Sequence, residues 1–251
     1  MLRIFSVSLF MTFGLGACAT APERTDGGVY DPFEPVNRQV FAFNEAADKA
    51  VISPVADAYE TVTPRFFRTG VSNFLSNLNS PVVFANDVLQ GEPKRAGVTL
   101  YRFLINSTFG VAGLMDPAEH ELGVPGHSED FGQTLAVWGV PEGAFVVLPL
   151  LGPSNMRDGI GQAVDAAFDP FNYDAVIGDD ETRTTVNVSR TALGVLNLRV
   201  ALDGTVEQLR AQPEPYIAYR RGYTSQRQAE IRNGQEAPDP YTDLPDFDDF
   251  E

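Results

Sequence analysis

Ser154, His127 and Asp158 carry the hydroxyl, imidazole and carboxylate from which a hydrolytic site, for instance one acting on lipid esters, would be assembled. Ser154 stands in Gly152-Pro153-Ser154-Asn155-Met156. That stretch is not the G-x-S-x-G elbow that exposes a nucleophile, and a helix cap accounts for the serine. His120 and His127 are the only histidines, with Asp116, Glu119 and Glu121 close by in sequence. Their spacing matches no zinc pattern, which leaves two solvated loop histidines. Gly159-Ile160-Gly161-Gln162-Ala163-Val164 ends in valine where a dinucleotide loop needs glycine, and no clear strand precedes it. No catalytic residue, metal or cofactor is expected.

Cys18 is different. It is the single thiol of the chain, and it follows Leu15-Gly16-Ala17 at the end of an uncharged apolar stretch, 4–15, that opens behind Arg3. A charged start, a short apolar core and a small-residue exit make a secretory signal, and the exit resembles the bacterial lipobox. The sulfur is then the nucleophile that accepts a diacylglyceryl group. Each buried methylene adds about 0.8 kcal/mol, and stable anchoring takes two or more chains. Ala19 follows in place of aspartate, which by analogy with bacterial sorting points to the outer membrane.

A third group lies in 98–109. Thr99, Arg102 and Asn106 are spaced three and four apart, so a helix places them in one polar stripe. Val98, Tyr101, Ile105 and Phe109 form an apolar row beside it, widened by Leu100, Phe103 and Leu104. Such a stripe faces hydrocarbon only at a cost, about 2.5–3.5 kcal/mol for a charge deep in a membrane. Two placements remain open for Arg102: a polar lumen where its guanidinium meets phosphate, or an internal ion pair with one of the many carboxylates.

The elements that must hold these residues are mostly helices. Val36, Val40, Phe43, Ala47 and Val51 repeat at helical spacing behind Pro35, with Phe41 outside that stripe. Ser53-Pro54, Thr63-Pro64, Ser80-Pro81 and Glu92-Pro93 each read as a helix start. Ser128-Glu129-Asp130-Phe131 opens another helix that ends near Gly139. Ser154 caps one that stops at Asp169-Pro170, and helical patterns cover about 181–202 and 214–233. Residues 109–127 read as an irregular connection, and 144–151 as a buried strand or an apolar loop. The expected organisation is signal peptide 1–17, tether 18–30, one domain over 31–237 and an acidic, proline-broken, disordered tail over 238–251.

Composition removes several classes. The formal charge of −16 argues against nucleic acid. With one cysteine there is no internal disulfide. No apolar run after residue 18 approaches the roughly 20 residues of a spanning helix. Eighteen Phe and 43% hydrophobic residues fill a core and leave apolar surface over.

Asp31-Pro32-Phe33-Glu34-Pro35-Val36-Asn37-Arg38-Gln39-Val40-Phe41-Ala42-Phe43-Asn44 resembles the opening of the VacJ/MlaA family. The similarity continues through Val71-Ser72-Asn73-Phe74-Leu75 and Leu89-Gln90-Gly91, then Arg102-Phe103-Leu104-Ile105-Asn106-Ser107-Thr108-Phe109-Gly110. Further on it runs through Glu129-Asp130-Phe131-Gly132-Gln133-Thr134-Leu135, Val147-Leu148-Pro149-Leu150-Leu151-Gly152-Pro153-Ser154 and Tyr216-Ile217-Ala218-Tyr219-Arg220-Arg221. The resemblance implies an all-α, ring-like domain of many short helices lying in the inner leaflet of the outer membrane, with an amphipathic channel through it. It implies removal of mislocalised phospholipid from the outer leaflet, a trimeric outer-membrane porin as partner, and a soluble periplasmic carrier that receives the lipid. Thr99, Arg102 and Asn106 are the candidates to line the channel. The short acidic tail departs from better-known members. A lipid hydrolase built on Ser154, or a purely structural tether to porin, are the competing functions.

If Cys18 carries the lipid, Cys18→Ala leaves an unprocessed precursor held in the inner membrane. Membrane fractionation with immunoblotting checks this, and normal processing with outer-membrane fractionation would sink the assignment.

Overall fold

The computed structural model describes residues 29–233 apart from 174, 175 and 177. The signal peptide, Cys18, most of the tether and the acidic tail lie outside the described residues. The fold is mainly helical, as the periodicities predict, and carries one small hairpin. In chain order it runs α1 (Glu34–Ala47), a π-helical stretch (Asp48–Ile52), α2 (Ser53–Val62), α3 (Arg65–Leu89) and α4 (Pro93–Thr108). The short α5 (Pro117–His120) and α6 (Phe131–Val137) follow, then β1 (Phe145–Leu148) and β2 (Gly152–Asn155). The chain closes with α7 (Met156–Phe168), a 3₁₀ turn (Pro170–Asn172), α8 (Asp180–Ala201), α9 (Asp203–Arg210) and α10 (Pro215–Ile231).

Packing contacts close a circuit: α1 leads through the π stretch into α2, α2 packs on α8, α8 on α3, α3 on α7, α7 on β2, and β1 returns to α1. The π stretch sits just ahead of Pro54, whose missing N–H interrupts the regular ladder.

Several local expectations change. Ser80-Pro81 does not start a helix: Pro81 lies inside the 25-residue α3. The helix forfeits one backbone bond there and is carried through by packing on α4, α7 and α8. Ser80 instead back-bonds to the Ser76 carbonyl at 3.4 Å, as a mid-helix serine does. Residues 144–151 resolve as strand plus turn, with β1 antiparallel to β2 and Phe145 opposite Asn155. Ser154 is not a cap. It is buried in β2, and Asn155 caps α7 by accepting from the Asp158 N–H. Within 109–127 the α5 turn is capped by Asp116, and the C-terminal pattern divides into three helices where two stretches are expected.

The hairpin is fastened to α1 by two asparagines seven residues apart, hence on one helix face. Asn37 donates to the Phe145 carbonyl at 3.0 Å and accepts from Val147 N–H at 2.9 Å. Asn44 does the same with the Leu148 carbonyl at 2.9 Å and Leu150 N–H at 2.8 Å. Between them a small apolar core of Phe145, Val147 and Tyr216 packs with Phe41 and Tyr223.

Elsewhere burial is inverted. Among the described residues, more polar and charged side chains are buried than apolar ones. Val36, Phe43 and Val51 of the apolar stripe face outward, while Asn37 is buried and Phe41 packs on Tyr216 and Tyr219.

Gly161 in α7 meets the backbone of Gly132 in α6 so closely that a Cβ would collide with it. In a free helix, alanine would be about 1 kcal/mol better than glycine. Gly161→Ala is expected to have the opposite sign and to cost roughly 1–3 kcal/mol through overpacking, seen as a lowered melting temperature. A rise would show that α6 and α7 are not tightly seated.

Candidate functional site

The walls of a wide opening among the described residues are single helix faces. Leu75, Asn79 and Val82 come from α3, and Gln162, Asp165 and Ala166 from α7 with Asp169 just beyond its end. Asn187, Arg190, Thr191 and Gly194 come from α8. Each set is spaced by three, four or seven residues, the intervals that keep side chains on one side of a helix. The cavity holds about 480 Å³ and alternates apolar with polar lining.

Its charges are few. Arg190 Nη1 donates to Asp169 Oδ2 at 2.9 Å and to Asn187 Oδ1 at 3.4 Å, and its guanidinium lies 4.6 Å from the Phe171 ring centroid. Asp165 accepts from Asn86 Nδ2 at 2.8 Å and from the Phe131 N–H. It makes no salt bridge among the described residues, and burial raises its pKa above the usual carboxylate range. None of these lining residues stood out in the sequence, because no single helix shows the mixed wall that three helices make together.

Thr99, Arg102 and Asn106 line a second, smaller polar cavity of about 100 Å³ between α3, α4 and the segment that follows α4. All three point inward, with Thr99 and Asn106 buried, while Leu100, Tyr101, Leu104 and Phe109 of the same helix are exposed. Arg102 Nη2 pairs with Asp116 Oδ2 at 2.6 Å, and Nη1 donates to the Val124 carbonyl. Asn106 donates to Asp116 Oδ1 at 2.9 Å and accepts from Ala118 N–H at 3.1 Å. Arg102 is thus held in an internal ion pair at the wall of a polar cavity. Burial pushes the Asp116 carboxyl upward, but the bonds from Asn106, Arg102 and the Glu119 N–H outweigh this and leave it below the usual carboxylate range.

His127 is not a solvated loop histidine. Its Nε2 lies 3.0 Å from Asp87 Oδ1, and Thr99 Oγ1 donates to Asp87 Oδ2 at 2.6 Å. Arg95 joins the same buried group by pairing with Glu129. His120 does stay on the exposed surface.

Of the hydrolase candidates, Ser154 and Asp158 share Tyr223, while His127 belongs to a different network. His127 serves Asp87, and Ser154 Oγ donates to the Asn155 carbonyl at 3.3 Å. Asp158 accepts from Arg227 at 2.8 Å, from Asn155 at 2.8 Å and from Tyr223. Within 159–164 it is Gly161 that serves packing, by letting α6 approach.

A family model described as MlaA lipoprotein matches residues 29–230. A protein of Rickettsia felis is 33% identical over 206 residues, 81% of this chain and 79% of its own length. The intermembrane phospholipid transport system lipoprotein MlaA of Haemophilus influenzae is 32% identical over 208 residues, covering 82% of this chain and 80% of that protein. The Escherichia coli K12 protein of the same description is 31% identical over 238 residues, covering 94% and 90%. A solved structure bearing on "maintenance of bacterial outer membrane lipid asymmetry" superposes with a TM-score of 0.70 at 29% identity, over 80% of this chain and 98% of its own.

The Arg102–Asp116 bond sets an expected pH response. A carboxyl whose folded pKa is depressed contributes stability above its unfolded value, near 3.9, and loses it as pH falls through the folded value. Arg102→Gln is expected to cost about 1.5–3 kcal/mol at pH 7 and to flatten that acid limb in chemical denaturation. An unchanged midpoint at pH 7 would remove the pair from the fold's support.

Proposed function

Since the chain belongs to the MlaA lipoprotein family, we propose that it withdraws mislocalised phospholipid from the outer leaflet of the outer membrane and passes it through an amphipathic channel, maintaining lipid asymmetry. The lipid leaves toward a soluble periplasmic carrier, and a trimeric porin holds the protein in place. Passage is passive and makes no covalent change in the lipid. Cys18 carries the anchor, and the domain over 31–237 does the work from the periplasmic face, partly embedded in the inner leaflet.

The observation that carries this reading is the inverted amphipathicity of α4. Its polar stripe is turned in to Asp87, Asp116 and a cavity, while Leu100, Tyr101, Leu104 and Phe109 are turned out and Val98, Phe103 and Ile105 are half-buried. In water such a helix would bury the apolar row, at about 25 cal/mol for each Å² removed from solvent. In a leaflet the outer row costs nothing, because lipid tails are as apolar as a protein core. Phe66 at 78% and Phe109 at 73% exposure extend the outward apolar surface. Among the described residues no helix is long and apolar enough to cross a membrane, which suits a protein seated in one leaflet. The passage itself is the opening between α3, α7 and α8, and Thr99, Arg102 and Asn106 line its polar side chamber. Asn79 lines both.

A strain lacking this chain is expected to carry excess phospholipid in the outer leaflet. Enzymatic transfer of palmitate from outer-leaflet phospholipid to surface lipid A, which releases lysophospholipid, reports it, and the wild-type chain restores the normal level. An unaltered outer leaflet in the deletion strain would defeat the reading.

A further inference from the structure

The opening between α3, α7 and α8 has a charge pattern more specific than a channel needs. Arg190 offers five N–H donors, and the protein uses only those on Nη1. The Nε and Nη2 edge, the one that grips an oxyanion with two parallel bonds, makes no hydrogen bond among the described residues. Phe171 lies against the guanidinium and holds its plane, so the free edge is already oriented.

On the facing helix, Asp165 and Asp169 are four residues apart and share one face of the α7 C-terminal turn. That end of a helix carries the negative pole of its dipole, which favours cations. Asp169 pairs with Arg190, whereas Asp165 makes no salt bridge among the described residues and feels only the more distant charge of Arg227. The cavity lining therefore sums to one excess negative charge beside one unclaimed guanidinium edge.

Resting on the transport reading above, we infer that this cavity selects zwitterionic phospholipids bearing a primary ammonium over anionic ones. The phosphate docks on the Nε and Nη2 edge of Arg190, and the ammonium docks on Asp165. An anionic glycerol headgroup offers Arg190 the same phosphate but has no ammonium for Asp165, so the occupied cavity carries one more net negative charge than with the ethanolamine lipid.

The test loads the purified full-length lipidated protein from vesicles of equimolar phosphatidylethanolamine and phosphatidylglycerol, then quantifies the retained lipid by mass spectrometry. Wild type is expected to retain the ethanolamine lipid by about threefold over the glycerol lipid. Asp165→Asn brings the ratio toward one, and Arg190→Gln lowers retention of both. Asp165 also anchors Phe131 and Asn86, so its variant is at risk of misfolding. Asn79→Lys supplies a second lever, because Asn79 is exposed and makes no side-chain hydrogen bond among the described residues. It is expected to shift the ratio toward the glycerol lipid. Retained lipid with no headgroup preference in wild type, or a ratio unmoved by Asn79→Lys, overturns this inference and leaves transport standing. Retention of neither lipid overturns both.

Discussion

Four arginines of the last three helices, Arg199, Arg210, Arg220 and Arg227, bind the end of the chain to its beginning and middle through carboxylates. Arg220 meets Asp31 at 2.8 Å with both side chains almost fully buried. Arg199 and Arg210 converge on Asp48, at 2.9 and 2.7 Å, and Arg210 reaches Glu45 as well. Arg227 grips Asp130 through both oxygens and Asp158 through a third bond. In a water-soluble domain, such pairs add little net stability over apolar packing, because taking both charges out of water costs as much as their attraction returns. Here the comparison shifts. On the proposed seat in a leaflet, hiding apolar side chains gains nothing, so the elements must be held by bonds that lipid cannot make. These arginines tie α8, α9 and α10 to the π stretch, to α6 and α7, and to Asp31 ahead of α1.

That constraint explains why the sequence discloses the fold unevenly. Helical periodicity and proline punctuation locate most helices, since both act through the local backbone. The same periodicity does not say which face is buried. The row Val36, Val40, Phe43, Ala47 and Val51 is the stripe a soluble helix would bury, yet Val36, Phe43 and Val51 are exposed, and Asn37 and Asn44 do the fastening. Pro81 misleads for a related reason: its backbone penalty is real, but tertiary packing on α3 overrides it.

The site was legible only in part, and the boundary is physical. Spacing alone puts Thr99, Arg102 and Asn106 on one face, and their inward burial follows from the cost of leaving polar groups against hydrocarbon. Their partners were not visible, because Asp116 belongs to a segment without periodicity and is joined to Arg102 by tertiary contact. His127 shows the same limit: nothing near it in sequence announces Asp87, forty residues earlier. The wide opening was missed altogether. It belongs to no element, since α3, α7 and α8 each supply one unremarkable face.

The distribution of ties also bears on how a lipid passes. Around the circuit, the arginine pairs are multidentate and mostly buried, so opening any of them exposes an unpaired charge, the costly case. Across the opening, the only ion pair among the described residues is Arg190 with Asp169, through a single nitrogen. Parting it leaves Arg190 beside Asn187 and a polar wall, where a headgroup can replace the lost carboxylate. Asn79 and Gln162 each line two neighbouring cavities, one toward the chamber at Arg102 and one toward Arg227. Polar lining thus runs from one side of the opening to the other, so on the proposed passage a headgroup can exchange one polar partner for the next along it.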